Sequence, residues 1–215
     1  GSTPAIIRMP RKNSRGQYVN WSKTALPWMS IGYETQVPPI STLTFYNAVA
    51  NNGKMVRPRF VTKVAKNGET LKEFPVEVMR PQIAKEKSIK ELQTILEQVV
   101  SMGLGRKAGS PNFKVAGKTG TAQISKGAGG YKNGGTNYLV SFAGYFPADA
   151  PQYSCIVCIQ KSGLPASGGT MSGKVFHEIS EGIMAQSLKL DVKDARDSAS
   201  VFLPDVKSGN ILAAD

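Results

Sequence analysis

Three apolar-rich strands followed by one amphipathic helix fill the second half of the chain, and this succession leaves few folds open. Phe113 to Gln123, Tyr138 to Phe146 and Tyr153 to Lys161 each read as a strand, the last two joined across Pro147–Gln152 at hairpin length. A glycine-rich turn, Ser167-Gly168-Gly169, leads into a helix from about Ser172 to Leu188 whose apolar face is Val175, Phe176, Ile179 and Ile183. Such a stripe must be buried, and the three strands supply the surface. The expected class is α+β, an antiparallel β-sheet flanked by helices and incomplete at one edge.

The first half adds two more helices. In Ser88 to Met102 the residues Ile89, Leu92, Ile95, Leu96, Val99 and Val100 recur at spacings of three and four. Ser88 with Glu91 reads as a capping box that starts this helix, and Gly103 and Gly105 end it. Pro38-Pro39 precede a second helix, Ile40 to Asn51, with Ile40, Leu43, Asn47 and Ala50 on one face and Asn52-Gly53 as a left-handed stop. Residues 56–80 suggest a small hairpin around Lys66-Asn67-Gly68. Residues 1–29 read as irregular and basic, 30–188 as the folded body, and 189–215 as a polar linker or tail. The five glycines of 127–137 read as a mobile loop.

Charge narrows the partners. Of the 27 Lys and Arg in these 215 residues, ten fall in residues 1–66 beside a single acid, Glu34, while the rest of the chain is near balance. An excess of this kind attracts anions, but no Lys/Arg run of five and no nucleic-acid module accompanies it, so nucleic acid is not expected as a partner. No apolar run approaches the length that spans a bilayer, and no signal-peptide pattern opens the chain. Cys155 and Cys158 form a CxxC, yet on a strand positions three apart face opposite sides, so the pair reads as buried structural cysteines rather than a redox or metal motif. The single histidine, His177, falls opposite the apolar stripe of its helix and is expected to face solvent, which argues against a Ser-His-Asp or Cys-His mechanism. No metal or cofactor is expected.

The remaining chemistry lies in Lys118-Thr119-Gly120-Thr121 on a strand. Lys118 brings a cation that attracts a carboxylate and tunes a neighbouring hydroxyl. Thr119 and Thr121, two apart, share a strand face, so both hydroxyls can grip one anionic group. Gly120 removes a side chain and is expected to let an extended substrate lie close.

Val115-Ala116-Gly117-Lys118-Thr119-Gly120-Thr121-Ala122-Gln123 resembles the Lys-Thr-Gly signature of the serine penicillin-binding proteins and β-lactamases. Further blocks, in the same order, resemble the class B penicillin-binding proteins, the monofunctional peptidoglycan D,D-transpeptidases. These are Ser30-Ile31-Gly32-Tyr33-Glu34 with Pro38-Pro39; Phe45 to Gly53 followed by Val56-Arg57-Pro58; Val99-Val100 with Gly103-Leu104-Gly105, where the family often has threonine at 104; and Phe142 to Pro147. The wording around Trp28–Gly53 is closest to the division-specific, septal type. The resemblance implies the carboxy-terminal part of a penicillin-binding/β-lactamase-like transpeptidase domain. Its intact parent would crosslink stem peptides ending in D-Ala-D-Ala by serine acyl transfer and be acylated by β-lactams. It implies that Lys118 joins the catalytic network, that Thr119 and Thr121 hold the donor carboxylate, and that Lys118, Thr119, Gly120 and Thr121 line the substrate site. It also implies an extracytoplasmic (periplasmic) location with a membrane anchor outside this chain, and partners in division and cell-wall synthesis.

Two departures stand out. The family's nucleophile lies in Ser-x-x-Lys, and no such motif occurs in the chain, so it is expected to be inactive alone. Ser110-Pro111-Asn112 fits the family's Ser-x-Asn motif by letters, but it falls where the family has a connecting segment and is read as coincidence. Phe202 to Val206 faintly resembles the start of the small repeats that follow some such enzymes. A β-lactamase or β-lactam sensor shares the Lys-Thr-Gly strand, but the block at 45–58 favours the penicillin-binding branch. A basic module for nucleic acid or anionic membrane is the third reading, disfavoured by aromatics placed in strands and helices. An open sheet edge would make the chain prone to dimerise.

Overall fold

The computed structural model describes residues 3–124 and 136–195, with side chains as far as Ser187. Most of the glycine-rich stretch 127–137 and the segment Phe202 to Val206 lie outside the described residues. In chain order the elements are β1 (Ile6–Ile7), α1 (Ala25–Ser30), β2 (Thr35–Gln36), α2 (Pro39–Ala50), β3 (Met55–Val56), β4 (Lys63–Lys66), β5 (Glu69–Glu73), β6 (Val78–Arg80), α3 (Glu86–Ser101), β7 (Ala116–Ile124), β8 (Asn137–Phe146), β9 (Tyr153–Ser162) and α4 (Gly173–Ala195). The chain divides into two compact units, residues 1–180 and 181–215, the second beginning within α4. No helix among the described residues is long and apolar enough to cross a membrane.

The centre of the first unit is an antiparallel sheet in the order β7-β8-β9, so among the described residues β7 and β9 each pair with a strand on one side only. The first turns of α4 and the turn Gly168–Ser172 cover one face; α2 and α3 cover the other. On the α4 face the organising group is Phe142. Its β8 neighbour Gly144 pairs across the sheet with Gly117 of β7. A Cβ on Gly117 would fall 2.7 Å from the Phe142 ring and 2.6 Å from the Ala143 carbonyl oxygen, and one on Gly144 would come within 3.0 Å of the same ring. The two glycines thus form a flat bed for the ring, which then meets Phe176 of α4 at 4.7 Å. Phe146, fully buried, stacks near Tyr153 and meets Phe176 edge-on at 5.6 Å. Burying each such side chain contributes about 1.5–3 kcal/mol, with aromatic geometry adding to it. On the opposite face Val49, Leu96, Ala116 and Tyr145 form a second cluster, with Tyr46, Ala50, Ile83 and Leu92 packed against it. The Tyr145 hydroxyl is buried there without a hydrogen-bond partner, and burial, reinforced by Glu97, pushes its pKa up to about 12.

Several expectations shift. The capping box does not form: α3 begins at Glu86, its N-cap Lys85 gives no side-chain bond, and Ser88 already lies inside the first turn, where Glu86 supplies the favourable negative charge. Ile89, Leu96 and Val100 are its buried residues, while Ile95 at the stripe's margin is 54% exposed. On α2 the fully buried residues are Ala48 and Val49, not the face expected, because the helix is packed by the sheet on one side and by β3 and α3 on others. On α4 Phe176 and Ser180 are fully buried, as is Ser172 in the turn before it, while Val175 and Ile179 are substantially exposed, so small residues permit the close approach that the stripe seemed to provide. That helix also runs to Ala195, into the stretch read as linker. Residues 1–29 are not wholly irregular: β1 pairs with β2, Lys12 bridges to Tyr18, and α1 begins at Ala25. The signature strand starts at Ala116 rather than Phe113. The hairpin turn stands as expected, with Asn67 at φ 52° and Gly68 at φ 85° between β4 and β5.

Gly117→Ala is expected to destabilise the fold by about 1–3 kcal/mol in urea unfolding, because backbone and ring border the added methyl. Gly182→Ala, at a helical position with open space around it, serves as the control and is expected to be neutral or stabilising by up to about 1 kcal/mol. Equal effects at the two positions would remove Phe142's glycine bed as the organising contact.

Candidate functional site on the β7 edge

Ala116 and Gly117 of β7 are buried, and exposure begins at Lys118. From there the free edge of the strand determines what the site presents. In an antiparallel pair each residue points its N–H and C=O the same way, alternately toward and away from the partner. The Gln123 N–H donates to the Tyr33 hydroxyl at 3.3 Å, so Gln123 faces away from β8. By the same alternation Thr119 and Thr121 turn their peptide groups outward, while Lys118, Gly120 and Ala122 bond to β8. Lys118 lies along this edge: its Nζ donates to the Thr119 carbonyl oxygen at 3.0 Å and approaches Thr119 Oγ1 at 3.4 Å. It enters no ion pair among the described residues.

The two threonine side chains share the α4 face, as their spacing requires. Thr121 Oγ1 accepts the Gly168 N–H at 3.1 Å, and Thr119 Cγ2 lies where a Cβ on Gly169 would come within 3.3 Å. Each hydroxyl therefore receives a donor, and each retains its own O–H for an incoming acceptor. Gly120 also has a role within the sheet. Its Cβ would run into the Ser141 hydroxyl of β8, its cross-strand partner, so the missing side chain makes room for Ser141. The outward peptide groups of Thr119 and Thr121 lie along the edge of the strand.

Other candidates fall elsewhere. Ser110 and Asn112 lie before β7, where the Asn112 N–H donates to Ser110 Oγ at 2.9 Å in a local turn. Both line a concavity of about 870 Å³ with Glu97, Arg106, Lys114 and Asp149, and neither Lys118 nor the threonines line it. His177 is half-buried rather than solvent-facing, with Nδ1 enclosed and unpartnered, because α4 is rotated from the expected face. Cys155 and Cys158 are free and on opposite faces, opposite Gly144 and Ser141 respectively. Only Cys155 is half-buried; Cys158 is exposed, contrary to the reading of both as buried. Tyr33, Ser141 and Gly168 had no role in the sequence reading. Tyr33 stands inside the block Gly32-Tyr33-Glu34, but nothing local shows that it reaches a strand 90 residues away.

The sheet with helices on both faces, its signature edge strand and the lysine lying along that edge define a penicillin-binding type of transpeptidase domain. Residues 5–181 match the penicillin binding protein transpeptidase domain family, and the chain belongs to it. It is 31% identical over 155 residues to stage V sporulation protein D of Bacillus subtilis, spanning 70% of this chain and 23% of the relative. It is 28% identical over 176 residues to peptidoglycan D,D-transpeptidase FtsI of Escherichia coli, spanning 78% of this chain and 26% of the relative. Among solved structures, penicillin binding protein 3 of Mycobacterium tuberculosis complexed with ampicillin is similar, with a TM-score of 0.64, 29% identity, and 78% of this chain covering 39% of that one. The chain thus spans about a quarter of the length of these curated relatives.

Burial raises both thiol pKa values. Both cysteines are therefore expected to alkylate more slowly than free cysteine at pH 8, Cys158 ahead of Cys155, without an intramolecular disulfide under mild oxidation. Intact-mass analysis after timed iodoacetamide treatment checks this; rapid Cys155–Cys158 crosslinking would contradict the opposed faces.

Proposed function

We propose that this chain supplies the substrate-cradling half of a peptidoglycan D,D-transpeptidase, of the septal type suggested by the Trp28–Gly53 wording. The observation that carries the reading is the outward-facing Thr119–Thr121 edge with the Lys118 ammonium along it. An extended stem peptide adds to this edge as a strand. Its terminal carboxylate takes the O–H groups of Thr119 and Thr121 beside the Lys118 charge. The Thr121 N–H, facing outward, meets the oxygen of the scissile carbonyl as it gains negative charge. A serine oxygen attacks that carbonyl and the terminal D-Ala leaves as the amine carrying the serine's proton; an amine on a neighbouring stem then attacks the ester, forming the new amide as its proton returns to the released serine oxygen. β-Lactams enter as donor mimics. Ampicillin in the Mycobacterium tuberculosis relative supports this.

No Ser-x-x-Lys occurs in these 215 residues, so the nucleophile comes from elsewhere in a longer polypeptide and the chain alone forms no acyl ester. In that polypeptide the domain works outside the cytoplasmic membrane with division and wall-synthesis partners, and the outer edges of β7 and β9, which pair with no strand among the described residues, favour self-association of the chain on its own.

A fluorescent penicillin is expected to label a polypeptide that joins this chain to a Ser-x-x-Lys segment, and Lys118→Ala in that protein is expected to cut labelling by at least about 100-fold. The 215-residue chain by itself is expected to show no adduct by intact mass. Unchanged labelling in Lys118→Ala would remove Lys118 from the site.

A further inference from the structure

We infer that Tyr33 sets the register in which an extended substrate pairs with β7, by occupying the backbone amide one step beyond Thr121. This rests on the reading of the β7 edge as the donor-binding edge. Alternation offers three outward residues there: Thr119, Thr121 and Gln123. The Thr119 carbonyl accepts Lys118 Nζ at 3.0 Å, and the Gln123 N–H donates to the Tyr33 hydroxyl at 3.3 Å. Between these two bonds lie the N–H and C=O of Thr121. An added antiparallel strand exchanges a pair of bonds with each outward residue, at steps of roughly 7 Å. With Tyr33 on the Gln123 amide, an incoming peptide pairs with Thr121 and then leaves the edge. The site therefore takes a short extended peptide whose backbone pairing ends at one residue, and rejects a longer strand lying in continuous register.

Tyr33 is held for this position. Its N–H donates to the Trp28 carbonyl at 3.1 Å, and its ring meets Trp28 edge-on at 5.2 Å. It sits between Gly32 at φ 95° and Glu34 at φ 62°. A glutamate in the left-handed region is strained, and such strain persists only where its surroundings over-determine it. Here the Arg8 guanidinium pairs with the Glu34 carboxylate at 2.8 Å, the Arg8 N–H donates to the Glu34 carbonyl at 3.2 Å, and β1 pairs with β2 alongside. Glu34 is the only acid in the first 66 residues, against ten cations. That lone carboxylate is used to fix the turn that aims Tyr33.

The test uses the isotopically labelled chain, its Tyr33→Phe variant, and acetyl-L-Lys-D-Ala-D-Ala as probe. Tyr33→Phe keeps the ring and removes the hydroxyl. The Gln123 amide is expected to exchange with solvent about five-fold faster in the variant, with Gly120 and Ala122 unchanged. The probe is expected to shift the Thr119 and Thr121 amide resonances in both proteins, and that of Gln123 in the variant alone. Equal Gln123 exchange in the two proteins, or a Gln123 shift already present in the wild type, overturns the role of Tyr33 and leaves the donor-edge reading standing. No shift at Thr119 or Thr121 in either protein overturns the donor edge and the register with it. If Tyr33→Phe also speeds Gly120 and Ala122, Arg8→Ala replaces it: release of Glu34 is expected to speed Gln123 exchange with the hydroxyl still present, and unchanged exchange there overturns the inference.

Discussion

Among the described residues β7 pairs with one strand, β8, and the edge left over sets what the chain presents. Half of its peptide groups are consumed by β8; the other half must face outward, and the register decides which half. The register is held by packing on both faces. Gly117 opposite Gly144 gives Phe142 its bed, and Ala116 opposite Tyr145 enters the cluster with Val49 and Leu96. A slip of one residue would place Lys118 under the Phe142 ring and turn Thr119 and Thr121 toward β8, a double penalty in packing and in function. The same aromatic contact that stabilises the sheet therefore sets which peptide groups face outward.

The site is built from parts that are far apart in sequence and individually ordinary. Gly168 contributes a backbone N–H, Ser141 a hydroxyl that fills the space over Gly120, and Tyr33 a hydroxyl at the strand's end. Gly168 lets the turn before α4 press against the sheet, where its Cβ would collide with the Gly120 and Ser141 carbonyls, and Gly169 lets it press against Leu104, where its Cβ would collide with the Leu104 carbonyl. The close approach of α4, with Ser180 buried beneath it and Ser172 buried in the turn before it, belongs to the same arrangement. Such an arrangement leaves little freedom for the threonine hydroxyls, which would keep the entropic cost low for the donor peptide proposed above.

What was legible in the sequence was local. The three strands, the α3 periodicity, the Asn67-Gly68 turn and the left-handed Asn52-Gly53 stop each depend on neighbours within a few residues, and each is present, with only the ends of the strands and helix shifted. The common face of Thr119 and Thr121 follows from strand geometry alone. Helix faces were less legible: on α2 the apolar pattern pointed to Ile40 and Leu43, whereas packing on more than one side buried Ala48 and Val49, and on α4 it pointed to Val175 and Ile179, whereas Ser180 is buried along with Phe176. Hydrophobicity marks what gains from burial, but small size decides how near two elements come. The purpose of Gly120, the reach of Tyr33 and the donor from Gly168 depend on register and on contacts spanning 21, 90 and 47 residues, for which no local signal exists.

The most direct measurement is amide hydrogen exchange along β7, residue by residue. Lys118, Gly120 and Ala122 are expected to be strongly protected and Thr119 and Thr121 to exchange fast, with Gln123 between the two groups. Uniform protection from 118 to 122, or protection on the odd-numbered residues instead, would mean that the edge is covered or the register shifted, and the donor-binding account would not survive it.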